Sequence, residues 1–179
     1  MPRQGLTRRD VLQACFRLID EKGFAGFSMH ELARRLNIRT ASLYNHIENE
    51  STLLLRIGQT ATERFSKALT ESIEGKKGEE ALRALADAWW RFAGSHPGLY
   101  TVAMRAAEEK GAEEKPAFFL PVEALTEENG ALRDLIISLL HGAVSLENAG
   151  IFPPEGKAER LEAVTNSLMD LWKKEGRKR

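Results

Sequence analysis

The fold is decided by "NIRTASLYNHIENE", Asn37 to Glu50. Within it, Thr40 to His46 hold two hydroxyls, a Tyr, an Asn and a His, a mixture ill suited to an ordinary amphipathic helix. Leu43 and Ile47 stand four apart, so a short helix here turns both inward and leaves the polar groups outside. Upstream, "SMHELARRL" carries helical spacing, and Ser28-x-x-Glu31 reads as a capping box, with Phe27 and Leu32 placed as a hydrophobic staple. That helix ends around Leu36-Asn37. Downstream, a long helix begins at Asn49 and puts Leu53, Leu54, Ile57, Ala61 and Phe65 on one side.

A further helix precedes these. Thr7 caps it with Asp10 in its first turn, Val11, Cys15, Leu18 and Ile19 repeat at helical spacing, and Lys22-Gly23 stops it before the connector "FAGF". Two short helices joined by a few residues and braced by an earlier one form a helix-turn-helix. Its second member enters the DNA major groove N-terminal end first, so it needs short polar groups at its start and phosphate-reaching groups at its flanks. Arg39, Thr40 and Ser42 suit the first task, Tyr44 and His46 the second, and Asn45 either. Taken singly, each has a plain reading as a cap, a core residue or a surface residue.

Charge points the same way. The net charge of the chain is zero, which argues against a general polyanion binder. Residues 1–46, however, hold eight Lys/Arg against four acids, a net of +4, whereas residues 76–130 hold seven bases against ten acids, a net of −3. A basic head on an acidic body suggests a local nucleic-acid face.

No period-two alternation appears anywhere, so the expected fold class is all-α, with about nine helices. A three-helix head over residues 1–52 is expected to precede a helical body over 53–179. No apolar run approaches the ~18 residues of a membrane span. The basic N-terminus is not followed by the apolar stretch of a secretion signal, and Cys15 stands alone, so a cytoplasmic protein with no membrane partner is expected.

Residues 8–54 resemble the DNA-binding head of the tetracycline-repressor (TetR) family of bacterial transcription regulators. The resemblance is carried by "FSMHELARRLNI" and "SLYNHIENESTLL", with Leu43-Tyr44-x-His46 at the centre. It implies that Ser28, His30, Arg39, Thr40 and Ser42 lie at the DNA and that Tyr44 and His46 contact phosphates. One position departs: Glu50 stands where the family usually has a Lys, which removes one phosphate contact and about 0.9 from the log–log salt slope. The basic arm Arg3, Arg8 and Arg9 is placed to compensate.

"WWRFAGSHPGLYTVAMR" and "LLHGAVSLENAG" are similar to one branch of the same family. The stretch between Arg105 and Ala131 departs from it, being short and broken by Pro116 and Pro121 where a full helix is expected; a loop with a short helix is the reading here. Most of the large rings lie in the body, and ligand pockets are mostly apolar with a few placed polar groups. Trp89, Phe92, Tyr100, Met104, Phe118, Phe119 and His141 are therefore the candidates to hold a small apolar effector, with Asn148 a further polar group. The same stripe reads equally as plain core, and Trp90, off the main face, borders a groove or an interface.

The last two helices suggest a homodimer. Leu161, Val164, Leu168 and Leu171 step by three, four and three, Leu135 and Leu139 extend the apolar face of the preceding helix, and Gly142 permits close approach. Two copies would form a four-helix bundle and present two heads to a near-palindromic operator in double-stranded DNA. The alternative is that these helices close the protomer's own core.

Enzyme chemistry finds little support. His30, His46, His96, His141 and Cys15 show no HExxH, no paired Cys and no metal-ligand spacing, so no cofactor and no metal are expected. The expected function is a sequence-specific, ligand-responsive transcription regulator, a repressor acting as a homodimer. The rivals are a helical protein-interaction adaptor and a small-ligand-binding protein with no DNA role.

Overall fold

The computed structural model describes residues 5–110, 115–127 and 129–176, and Arg3 lies outside them. Among the described residues there are nine α-helices and no strand. They are α1 (Arg8–Lys22), α2 (Met29–Arg35), α3 (Thr40–Leu43), α4 (Glu50–Ile73), α5 (Gly78–Ser95), α6 (Pro97–Lys110), α7 (Phe119–Thr126), α8 (Gly130–Asn148) and α9 (Lys157–Gly176), with a 3-10 turn at Phe24–Gly26. One compact unit comprises residues 5–62 and 96–110, and a second comprises 63–95, 115–127 and 129–176. The division falls inside α4, ten residues beyond the 52/53 boundary read from the sequence, and α6 belongs with the head.

In the first unit, α1 starts with a complete capping box. Thr7 Oγ1 accepts the Asp10 N–H at 3.2 Å, and the Asp10 carboxylate accepts the Thr7 N–H at 2.8 Å. The box expected at Ser28 is only half formed. Ser28 Oγ accepts the Glu31 N–H at 3.1 Å, but the Glu31 carboxylate turns to Lys22 at 2.5 Å and Arg34 at 2.8 Å. Two cations within reach attract that carboxylate more strongly than a neutral backbone N–H.

The turn between α2 and α3 is a Schellman motif. Asn37 adopts a positive φ of 54°, its N–H bonds the Arg34 carbonyl, and the Ile38 N–H bonds the Ala33 carbonyl. Asn is among the few side chains that tolerate this conformation. After Leu43 the regular helix gives way to tighter bonds, from the Asn45 N–H to Ser42 and from the His46 N–H to Leu43. Leu43 is fully buried and Ile47 nearly so, in a core with Val11, Cys15, Leu18, Ile19, Leu32, Leu53 and Ile57.

The helix α6 docks on the same core by close backbone approach. A Cβ on Gly98 would lie 2.0 Å from the Ile19 carbonyl oxygen, and one on Gly58 2.7 Å from Ala106 Cβ. Beside Gly98, His96 Nδ1 sits 2.8 Å from Asp20 Oδ2, and Arg105 lies 4.4 Å from the centroid of Phe24.

The second unit is built on a cluster of rings. Phe65 lies 4.8 Å from Trp89, 4.9 Å from Phe92 and 5.4 Å from Phe118 between ring centroids. As expected of the Pro-broken stretch, α7 is short, and Pro121 sits in its first turn, where backbone N–H groups lack helical partners. Asn129 caps α8 by accepting the Leu132 N–H. Arg160 closes the loop before α9, donating to Glu147 at 2.7 Å and to the Pro153 and Glu155 carbonyls.

Replacing Gly98 by Ala forces a backbone shift against Ile19 and is expected to destabilise the protein by about 2 kcal/mol or more. Gly94→Ala, where a Cβ meets nothing within 4 Å, is expected to be neutral or stabilising by up to about 1 kcal/mol. Denaturant unfolding of the two variants checks both signs.

Candidate nucleic-acid interface

Helix α3 is amphipathic within a single turn. Leu43 and Ile47 face the core, while Arg39, Tyr44 and Asn45 are exposed and Thr40, Ser42 and His46 half-buried. Tyr44 keeps 50% of its surface exposed, a large ring held at the surface beside a buried leucine. Among the described residues, none of these six side chains makes an intrachain hydrogen bond or ion pair. Ser28 and His30 are also exposed, at the start of α2, and the Ser28 hydroxyl is engaged as the helix cap. The eight residues named from the sequence thus lie on or around α2 and α3, and none is buried.

The basic residues divide into two groups. Lys22 and Arg34 pair with Glu31, and Arg35 pairs with Glu21 through both oxygens at 2.5 and 2.6 Å. Lys22 and Arg35 therefore brace α1 against α2, while Arg34 closes its pair within α2. Arg39 is not ion-paired among the described residues. Glu50 is exposed at the first residue of α4, where a carboxylate suits the helix dipole, and Asn49 Oδ1 accepts the Thr52 N–H. Arg8 reaches Glu48 only at 4.0 Å.

The residues proposed for an effector are divided between the two units. Tyr100 and Met104 belong to the first unit, and Tyr100 is buried there. Trp89 and Phe118 are buried in the second unit, ring against ring, with Phe92 and Phe119 half-buried beside them. His141 is half-buried, its Nε2 3.2 Å from Ser145 Oγ. Phe65, at the centre of the cluster, stands in the sequence as an apolar position of α4, outside the aromatic set of the body.

Of the residues proposed for a dimer, Leu168 is buried within its own unit, and Leu161, Val164 and Leu171 are half-buried. On α8, Leu132, Ile136, Leu140 and Val144 are buried, while Leu135 and Leu146 are exposed and Leu139 half-buried on another face. A Cβ added at Gly142, on that same face, would meet nothing within 4 Å.

Two family profiles match the chain. One is described as bacterial regulatory proteins, tetR family, over residues 11–57. The other is described as tetracyclin repressor-like, C-terminal domain, over residues 82–170. The HTH-type transcriptional regulator YobS of Bacillus subtilis, itself uncharacterized, is 30% identical over 177 residues, covering 93% of this chain and 91% of that one. A protein of unknown function from Rhodococcus sp. RHA1 superposes with a TM-score of 0.72 at 20% identity, covering 94% of this chain and 96% of that one. A TetR variant from Acinetobacter baumannii AYE, solved with minocycline, gives a TM-score of 0.57 at 20% identity, covering 98% and 99%.

Two titrations follow from the head's geometry. Hydrogen bonds from Arg34 and Lys22 hold the Glu31 carboxyl down at about 2. A depressed carboxylate stabilises the fold above its unfolded value, near pH 4.5, and loses that contribution as pH falls through its folded value. Glu31→Gln should therefore flatten the pH dependence of stability between about 4.5 and 2, measured by denaturant titration at stepped pH. Burial pushes the Cys15 thiol up to about 12, so a disulfide reagent at pH 8 should leave it unmodified in the native protein and modify it in denaturant.

Proposed function

The chain belongs to the TetR family of bacterial regulatory proteins and is a helix-turn-helix transcription regulator, and from that premise we propose a ligand-responsive repressor that binds a near-palindromic operator as a homodimer. The observation that carries the DNA-reading part is the division of α3: Leu43 and Ile47 are buried, and every polar side chain from Arg39 to His46 is exposed or half-buried and unengaged within the described chain. In this reading Arg39, Thr40 and Ser42 meet base edges, with Ser28 and His30 alongside. Tyr44, Asn45 and His46 fix the helix on the phosphates. Base-edge groups specify sequence, and phosphate groups set position and orientation.

The homodimer is supported by the outer face of α8, where Leu135, Leu139, Gly142 and Leu146 follow one another at helical spacing with two leucines exposed. An exposed apolar stripe of this kind marks an interaction face, and a two-fold pairing covers it with itself. Leu168 is occupied inside its own unit, so α8 supplies the centre of this interface and α9 its margin. The ligand-responsive part rests on the match of the body to a tetracyclin repressor-like C-terminal domain. α4 runs through both units without a break. An effector that favours one conformation of the body changes DNA affinity by its differential affinity for the two states, and DNA changes effector affinity by the same factor.

Substitutions separate the two roles on α3. Tyr44→Ala should weaken binding to all duplexes by a similar factor, whereas Arg39→Ala or Thr40→Ala should cost about 1–3 kcal/mol on the preferred sequence and change which sequence is preferred. Binding measured across a library of sites checks this, and identical behaviour of the variants would refute the division. Leu135→Lys combined with Leu146→Lys should yield a folded monomer by analytical ultracentrifugation, with operator binding lost at concentrations where the native protein is bound.

A further inference from the structure

In the second unit, α5, α9 and the region around the end of α4 enclose a surface groove of about 760 Å³. Trp90 lines it, and its Nε1 donates to Thr165 Oγ1 at 3.4 Å, so the indole spans from α5 to α9. Lys76, Arg83 and Arg91 also line it. Lys76 donates to the Ser72 carbonyl, Arg83 to Asn166 Oδ1 and Arg91 to the Asp87 carbonyl, and none of the three is ion-paired among the described residues. Two carboxylates face the same space, Asp87 and Glu162, and they too are unpaired there. Three cations against two anions leave a surplus of one positive charge.

In the same unit Arg133 pairs with Glu123 and Asp134, and Arg160 pairs with Glu147. Asp87 stands one helical turn from both Arg83 and Arg91, yet closes an ion pair with neither. The volume lies in the range of small-molecule sites, ~300–1,000 Å³. An indole face accepts a flat ring, and a guanidinium fork matches a carboxylate.

We propose that this groove binds a planar aromatic carboxylate, with the ring against Trp90 and the carboxylate on Arg83 and Arg91. Lys76 adds to the positive field, and Asp87 and Glu162 select against a second negative charge on the ligand. The site is separate from the packed cluster around Phe65. Its regulatory consequence rests on the ligand-responsive reading above; its binding does not.

The test uses the full chain with 2-naphthoate as probe, followed by calorimetry, and with neutral 2-naphthamide as control. One naphthoate per chain is expected, with affinity at least about tenfold weaker for the Arg83→Gln, Arg91→Gln double variant and for the amide. Both arginines are exposed, and circular dichroism verifies that the variant is folded. Equal affinity in native and variant protein, or no binding below about 1 mM, would overturn the site. Operator affinity is measured in parallel. A fall in it with naphthoate upholds both readings, whereas binding without any change in operator affinity upholds the site and removes its role as the effector site.

Discussion

A helix of four residues has no stability of its own, because its first turn costs more in backbone order than its few hydrogen bonds return. Helix α3 therefore exists through what surrounds it: the burial of Leu43 and Ile47 on the core side and the Schellman turn at Asn37 on the other. Burying a leucine or isoleucine is worth roughly 1.5–3 kcal/mol, enough to hold one turn in place. Because two side chains do the holding, the remaining positions are left open for hydroxyls, an amide, a phenol and an imidazole. The composition of the segment, odd for a free-standing helix, is what an externally supported one allows.

The same economy governs charge. The head carries many cations, but Lys22, Arg34 and Arg35 are committed to Glu31 and Glu21, and the Lys22 and Arg35 pairs join α1 to α2. Arg39, at the entry to α3, is left without such a partner. Glu31 gives up half of the expected capping box to take part. The docking of α6 through Gly98 and the contact of His96 with Asp20 adds a second brace on α1. Short-range contacts of this kind thus surround the small helix α3.

Much of this was legible in the sequence because the head's signals are local. The Thr7 cap, the end of α2 at Asn37, the inward pair Leu43 and Ile47 and the short helix after Pro116 each depend on residues within a few positions. The Ser28 box was half misread because the competitor for Glu31 included Lys22, nine residues away across the connector. The body was harder to read. Periodicity shows which face of a helix is apolar but not which neighbour covers it: the spacing at Leu168 suggests a dimer seam, whereas α5 and α8 pack on α9 within the protomer. The assignment of α6 to the head depends on a glycine fitting against a carbonyl 79 positions earlier in the chain, and no local pattern encodes that. For Trp90, its place off the main face was the useful signal.

In the proposed function, paired α3 helices read a two-fold DNA site. Selection of bound duplexes from a random pool, with the number of chains per selected duplex determined by sedimentation, tests it most directly. The expected result is a near-palindromic sequence with half-sites about one helical turn apart, or a multiple of it, occupied by an even number of chains and released as salt rises. Enrichment of an asymmetric site by a single chain, or no enrichment by protein shown to be folded and dimeric, would contradict it.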